Sequence, residues 1–274
     1  MIRMSRLNYY GVLEQHQIND NDLIELAAEE INHLGYTVID SGYSSRKLEE
    51  IAHCFDHVHS SYVEKYGKSF LEKIDEFNGV RLPLAFDKLF LDMALNPIIT
   101  RLVQSLIKGK FYLNQQNAII NPPGKRYNQD AYHRDLPYQH FTSSRPLAIN
   151  ALFCVDEFTE LNGATQVIPC SHKSEKFPSD TYINNHSITV AAAAGSFIVI
   201  DCMLFHRGGI NNASKARRAI NHVFTIPYLK QQINIPNVLG IDFQANDHQR
   251  EILGYKFQVP SGIDQYLISR EGKI

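Results

Sequence analysis

The hydrophobic pattern changes period near residue 111, and this change constrains the fold more than any other feature of the 274 residues. Before it, apolar residues recur at helical spacing. Residues 21–34 carry acids and apolar side chains three and four apart, with Asn19, Asp20 or Asn21 as the expected N-cap. Tyr36-Thr37-Val38-Ile39-Asp40 predicts a short strand. Ser44 or Ser45 is expected to cap a helix whose buried stripe is Leu48, Ile51, Phe55, Val58 and Tyr62, and residues 84–107 predict more helix. After 111 the stretches 111–121, 146–155, 164–168, 187–191, 196–201 and 217–226 predict strands, divided by loops rich in Gly, Pro, Asn and Ser. Helices first and strands later predict an α+β fold with a mostly β core. The strands are expected to close into a jelly roll, with the N-terminal helices packed outside. No repeat or low-complexity linker intervenes. A single domain over 1–274 is therefore expected, with a helical part to about 110, a core from about 111 to 230 and a C-terminal extension over about 231–274.

Chemistry enters at His133 and Asp135, one residue apart, and at His206, which follows Asp201-Cys202-Met203-Leu204-Phe205. Residues i and i+2 of an extended segment point to the same side, so His133 and Asp135 can reach one ion while Arg134 is directed away. Two imidazoles and a carboxylate on one face of an octahedral metal leave the opposite face open for substrate and dioxygen. Alone the pattern is weak: the chain has 12 His, and a solvated loop histidine beside a capping Asp is the bland alternative. Arg217 strengthens it. It lies past Gly208-Gly209 and Asn211-Asn212-Ala213-Ser214, which read as the turn of a hairpin returning an arginine to the metal end. Arginine suits bidentate capture of a carboxylate. Neighbouring strand residues face opposite sides, so only one of Arg217 and Arg218 can do this. A metal beside a carboxylate clamp suggests a keto-acid cosubstrate.

Several ordered motifs then resemble the phytanoyl-CoA hydroxylase-like family of Fe(II)/2-oxoglutarate dioxygenases. They are Asn121-Pro122-Pro123-Gly124, His133-Arg134-Asp135, and Asn162-Gly163-Ala164-Thr165-Gln166-Val167-Ile168-Pro169-Cys170-Ser171-His172, followed by His206, Arg217 and Leu229-Lys230-Gln231-Gln232. The resemblance runs over roughly 30–240. It implies a cupin-like double-stranded β-helix with Fe(II), 2-oxoglutarate and O2 as cofactor and cosubstrates. It implies His133, Asp135 and His206 as iron ligands and Arg217, by its spacing, as partner of the far carboxylate of 2-oxoglutarate. The implied reaction is hydroxylation of a substrate C–H bond with release of succinate and CO2. Asp135 fills the position that related halogenases leave to a small residue. Two departures stand out. Cys170 replaces the family's usual Gly, so its turn is expected to be built differently, and Arg207 replaces a small residue. Arg207 is read as facing solvent, with contact to an anionic substrate as the alternative.

Further site expectations are less specific. Gln116, Asn150 and Thr165 are candidates to hold the cosubstrate from inward-facing strand positions, although alternation could place Gln115 or Asn117 inward instead of Gln116. Two long loops, about 123–145 and 170–186, are candidate lids. On the first, Tyr132, Tyr138, Gln139, His140 and Phe141 are candidates to line a substrate pocket. His172 is read as structural, and His53 and His57, four apart on one helix, as exposed rather than as a second metal site. A formal charge of −2 gives no basic field for nucleic acid. The four cysteines show no C-x-x-C spacing and read as free thiols in a reducing compartment. Residues 1–6 lead into no signal-peptide apolar region, and residues 188–205 divide into two strands rather than a membrane span. A cytoplasmic protein acting on a small molecule, away from membranes, is expected. A metal-dependent hydrolase, a non-catalytic binding protein and a protein-directed hydroxylase are the alternatives.

Overall fold

The computed structural model describes residues 17–19, 21–125, 129–136 and 141–271. Helix α1 (Leu23–Leu34) starts two residues later than the expected 21, because Asp22 is the cap and accepts from the amides of Ile24 and Glu25. After strand β1 (Tyr36–Asp40), helix α2 (Ser45–Tyr66) is capped by Ser44 and buries Ile51, Phe55, Val58 and Tyr62. His53 and His57 lie exposed on its outer face. Helix α3 (Lys68–Lys73) and strand β2 (Gly79–Arg81) follow. The helical stretch expected over 84–107 divides into α4 (Lys88–Ala94) and α5 (Pro97–Ile107). The break is chemical: the Asn96 side chain caps α5, and Pro97 occupies its first turn, where a missing N–H costs nothing.

The strands that follow are β3 (Tyr112–Asn121), β4 (Ala148–Cys154), β5 (Thr165–Val167), β6 (Ile188–Thr189), β7 (Ser196–Asp201), β8 (His206–Gly208) and β9 (Arg217–Thr225). They form a six-stranded sheet in the order β1-β7-β4-β9-β3-β2 and a three-stranded sheet in the order β6-β5-β8. All the pairings are antiparallel. The fold class expected from the sequence is present, but the sheets do not close into one barrel. Among the described residues only the isolated bridges His133–His206 and Phe158–Ala192 extend the ladders. One face of the large sheet presents Ala151, Phe153, Phe197, Val199, Ile220 and Phe224 to the helices. The other presents Cys154, Ile198, Ile200 and Ala219 to Ala164 and Val167 of the small sheet's side. Short helices α7 (Ile235–Leu239), α8 (Asp247–Ile252) and α9 (Ile263–Ile268) follow β9. No helix among the described residues is long and apolar enough to cross a membrane.

Three expectations change. The segment between β8 and β9 is not a hairpin: β8 pairs with β5 in the small sheet, and β9 pairs with β3 and β4 in the large one. The chain crosses between sheets there, as jelly-roll connections do. The loop expected over 170–186 contains helix α6 (Asp180–His186), capped by Ser179. The turn at Cys170 keeps a glycine-like backbone, with φ at 64° in the left-handed region, so cysteine bears the strain itself.

Two buried histidines make stability depend on pH. His222 of β9 contacts the Ala151 carbonyl at 3.1 Å, and His172 contacts the Asn32 carbonyl at 3.4 Å. Burial holds each down to about 4. Burial also lifts the Asp201 carboxyl to about 6. Between about pH 6 and pH 4 the unfolded chain protonates both histidines and the folded chain neither, while the folded chain protonates Asp201 first. Two protons less one leaves about one extra proton on the unfolded state. Unfolding free energy should therefore fall on acidification, by on the order of 1 kcal/mol per pH unit. Urea denaturation of the metal-free protein at several pH values across this window reads it directly. A midpoint that rises as pH falls contradicts the assignment.

Candidate metal centre

His133 and His206 are held opposite each other by two reciprocal backbone bonds, His133 N to His206 O at 2.9 Å and His206 N to His133 O at 3.0 Å. Directly paired residues of antiparallel segments project side chains to one side. The two imidazole rings accordingly lie with centroids 4.4 Å apart. Asp135, two residues on, projects to the same side, and its amide donates to the Cys202 carbonyl at 3.1 Å. The Asp135 Oδ1 lies 3.9 Å from Nε2 of His133 and 3.7 Å from Nε2 of His206. One ligating atom from each residue falls within 4.8 Å of the other two.

The donor chemistry fits a metal. Nδ1 of His133 meets the Ala131 carbonyl at 2.8 Å, and Nδ1 of His206 meets the Leu204 carbonyl at 3.0 Å. A carbonyl can only accept, so Nδ1 carries the proton in each ring and Nε2 keeps its lone pair. Burial lowers the His206 pKa against the pull of Asp135, which favours the neutral, ligating form. Asn150 Nδ2 donates to Asp135 Oδ2 at 2.9 Å, leaving Oδ1 turned toward the histidines. Behind the centre, Cys202 is fully buried. Burial, followed by the charges of Asp135 and Asp201, raises its thiol pKa well above the usual range.

Arg134, between the two ligands in sequence, is a clamp rather than a surface residue, with only 4% of its area exposed. Its Nε donates to the Met203 carbonyl at 2.6 Å and one terminal nitrogen to the Ser171 carbonyl at 3.0 Å and to that of Ser174. Its guanidinium lies 3.9 Å from the Phe205 ring centroid. It thus ties the His133–Asp135 segment to the turn that delivers His206. An exposed loop arginine and a buried one look alike in sequence. Its acceptors, the carbonyls of Met203, Ser171 and Ser174, lie far away in sequence, so only the fold identifies it.

A cleft of about 50 Å³ holds all three ligands together with Arg217, Asn150, Thr165 and Arg207. Arg217 is buried at the start of β9, its guanidinium 3.8 Å from the Phe158 ring centroid and its Nε 3.3 Å from the Asn162 carbonyl. The Asn162-Gly163 turn packs against the Gly209 backbone, where only glycine fits: a Cβ on Gly163 would lie 2.4 Å from the Gly209 oxygen. Arg218 faces the other way, onto Asp156 at 2.7 Å and Asp56 at 2.8 Å. Gln116 is a correction. Its amide bonds the Leu84 nitrogen at 3.0 Å and the Phe90 carbonyl at 2.7 Å, on the helix-packed face of β3. Asn117, paired with Asn221, lies on the cleft side instead. Asn150 lines the cleft but holds Asp135, a role the sequence did not indicate.

Arg207 is also not a free solvent arginine: its Nε donates to Gln166 at 2.8 Å and its guanidinium lies 4.6 Å from the Tyr132 ring centroid. Tyr132 itself does not line the cleft; its ring lies between Arg207 and Phe177, 6.0 Å from the latter. Phe141 is exposed. Tyr138, Gln139 and His140 lie outside the described residues.

Comparison with known proteins agrees with this geometry. The phytanoyl-CoA dioxygenase (PhyH) family model matches residues 31–219. The uncharacterized protein Rv1501 of Mycobacterium tuberculosis is 28% identical over 257 residues, 91% of this chain and 93% of that protein. Dioxygenase olcK of Penicillium canescens is 29% identical over 167 residues, 56% of this chain and 53% of that protein. The crystal structure of EctD from S. alaskensis with bound Fe shares the fold, with a TM-score of 0.64 and 18% identity over 78% of this chain and 81% of that one. EctD has also been solved with 2-oxoglutarate and 5-hydroxyectoine. With the family match covering more than half of its residues, the chain belongs to the phytanoyl-CoA dioxygenase (PhyH) family.

Proposed function

We propose that the protein is an Fe(II)- and 2-oxoglutarate-dependent dioxygenase that hydroxylates a C–H bond of a small molecule. The family and its dioxygenase relatives support a dioxygenase-type enzyme. The observation that carries the finer reading is the pairing, in one cleft, of the His133–Asp135–His206 set with the buried Arg217. The helices and both sheets then serve as one domain around that cleft.

Each residue has a task. His133 and His206 offer Nε2 lone pairs, and Asp135 offers Oδ1. Asn150 prevents that carboxylate from rotating, and Arg134 keeps the two ligand segments in register. Arg217 supplies a fixed cation for the far carboxylate of 2-oxoglutarate, its orientation set by Phe158 and Asn162. His133, Asp135 and His206 would hold the iron, which would supply oxygen activation coupled to conversion of the keto acid to succinate and CO2. A hydrolase using the same ligands would need a general base and would have no use for Arg217, so the buried arginine favours the oxygenase.

Succinate formation from 2-oxoglutarate, on admitting oxygen to the anaerobically purified protein with Fe(II), tests the reading. Asp135→Ala should cut turnover by at least about 100-fold, since it removes a metal ligand. Arg217→Ala should raise the KM for 2-oxoglutarate by roughly 30-fold or more, as expected for loss of a desolvated charge-assisted contact. Turnover at the wild-type level in Asp135→Ala would sink the proposed centre.

The clamp predicts a separate effect. Arg134→Met keeps the side chain's apolar bulk and removes its donors. It should weaken Co(II) binding by about 10–100-fold, the range seen when a residue supporting metal ligands is lost. Titration followed by visible absorbance measures this, with circular dichroism checking the fold. Unchanged affinity in a folded variant would show that the two ligand segments hold their register without Arg134.

A further inference from the structure

A second opening of about 300 Å³ adjoins the centre, sharing His133, Asp135, Ile119 and Asn221 with the cleft that contains Arg217. Its size is at the small end of the range for small-molecule sites (about 300–1,000 Å³). Its lining is the notable property. Among the described residues that line it, six carry carboxamides, including Gln115, Asn117, Asn221 and Gln232, and Ala118 and Ile119 bring the apolar side chains. On the opening's rim Asp75 stands beside Glu76, whose carboxylate is gripped by Arg81 at 2.7 and 2.5 Å.

The amides are positioned rather than incidental. The Asn221 Oδ1 accepts from the Asn117 backbone nitrogen at 2.8 Å, which fixes one amide against the strand. The Asn117 Oδ1 is buried without a hydrogen-bond partner. Gln115 sits two residues before Asn117, and the backbone nitrogen of Gln232 donates to the Asn114 carbonyl at 3.1 Å, which holds that residue at the same opening.

We infer that this opening binds a hydroxyl-rich small molecule of sugar or polyol type as the substrate oxidised at the neighbouring centre, an inference that rests on the oxygenase reading. Carboxamides both donate and accept, so they match hydroxyl groups, which do the same. A hydrocarbon chain would strip water from these amides without replacing its hydrogen bonds, and among the described residues would find apolar wall at Ala118 and Ile119 alone.

The test uses two sets of probes: methyl α-glucoside, glucosamine and myo-inositol in one, decanoic acid and decanoyl-CoA in the other. Binding to the full chain loaded with Fe(II) and 2-oxoglutarate is measured anaerobically by calorimetry. Succinate formation is then measured with oxygen. The expected result is binding and stimulated succinate formation by at least one hydroxyl-rich probe and by neither acyl probe. A Gln115→Leu, Gln232→Leu double variant, checked for folding by circular dichroism, should weaken that binding by about tenfold or more. The inference is overturned if the acyl probes bind instead, if no hydroxyl-rich probe binds, or if the folded double variant binds as the wild type does. Hydroxyl-rich probes that bind with no succinate formed under any condition would defeat the oxygenase reading and leave the polar site standing. Succinate formation stimulated by acyl probes alone would do the reverse.

Discussion

The reciprocal backbone pair between His133 and His206 is the constraint on which the centre depends. It is only one bridge long, yet it joins a loop segment to the edge of the three-stranded sheet. It also places two imidazoles side by side without help from the rest of the loop. Everything else at the centre refines that geometry. Arg134 ties the same two segments through the Met203, Ser171 and Ser174 carbonyls, and Asn150 reaches across from β4 to orient the third ligand. A ligand set held by backbone hydrogen bonds needs less side-chain order when the ion enters, which favours binding.

The two faces of the six-stranded sheet divide the labour. Because alternate residues of each strand point to opposite sides, β3 presents Gln116 to the helices and Asn117 to the cleft, while β9 presents Phe224 outward and Asn221 inward. The helical side is a conventional apolar core, dense with aromatic and branched side chains. The cleft side spends its positions on amides, arginine and histidine. The polar lining is stable because the apolar face of the same strands provides the burial that folding needs.

Much of this was legible from residue order. The stripe of α2, the strand Tyr36–Asp40 and the His133–Asp135 spacing all rest on short-range periodicity, which does not depend on distant partners. What failed depends on long-range register. Gln115, Gln116 and Asn117 are adjacent polar residues, and only the pairing of Asn117 with Asn221, and the bulge between Leu113 and Gln115, decides which faces the cleft. The segment from β8 to β9 has the Gly and Asn content of a hairpin turn, and nothing local shows that its flanking strands join different sheets. Arg207 reads as a surface cation, and the clamp role of Arg134 goes unread, because their acceptors, Gln166 in one case and three carbonyls in the other, lie far away in sequence. Helix α6 is short enough, at 7 residues, that its capping Ser179 gave too faint a signal.

Cys202 gives the buried side of the centre a chemical consequence of its own. A sulfur atom lies just behind Asp135, in a protein proposed to handle activated oxygen. Thiols are attacked chiefly as thiolates, and full burial beside two carboxylates keeps this one protonated. The environment that shields the ligand carboxylate therefore also makes its nearest sulfur a poor target, which protects the catalyst from wearing itself out by self-oxidation.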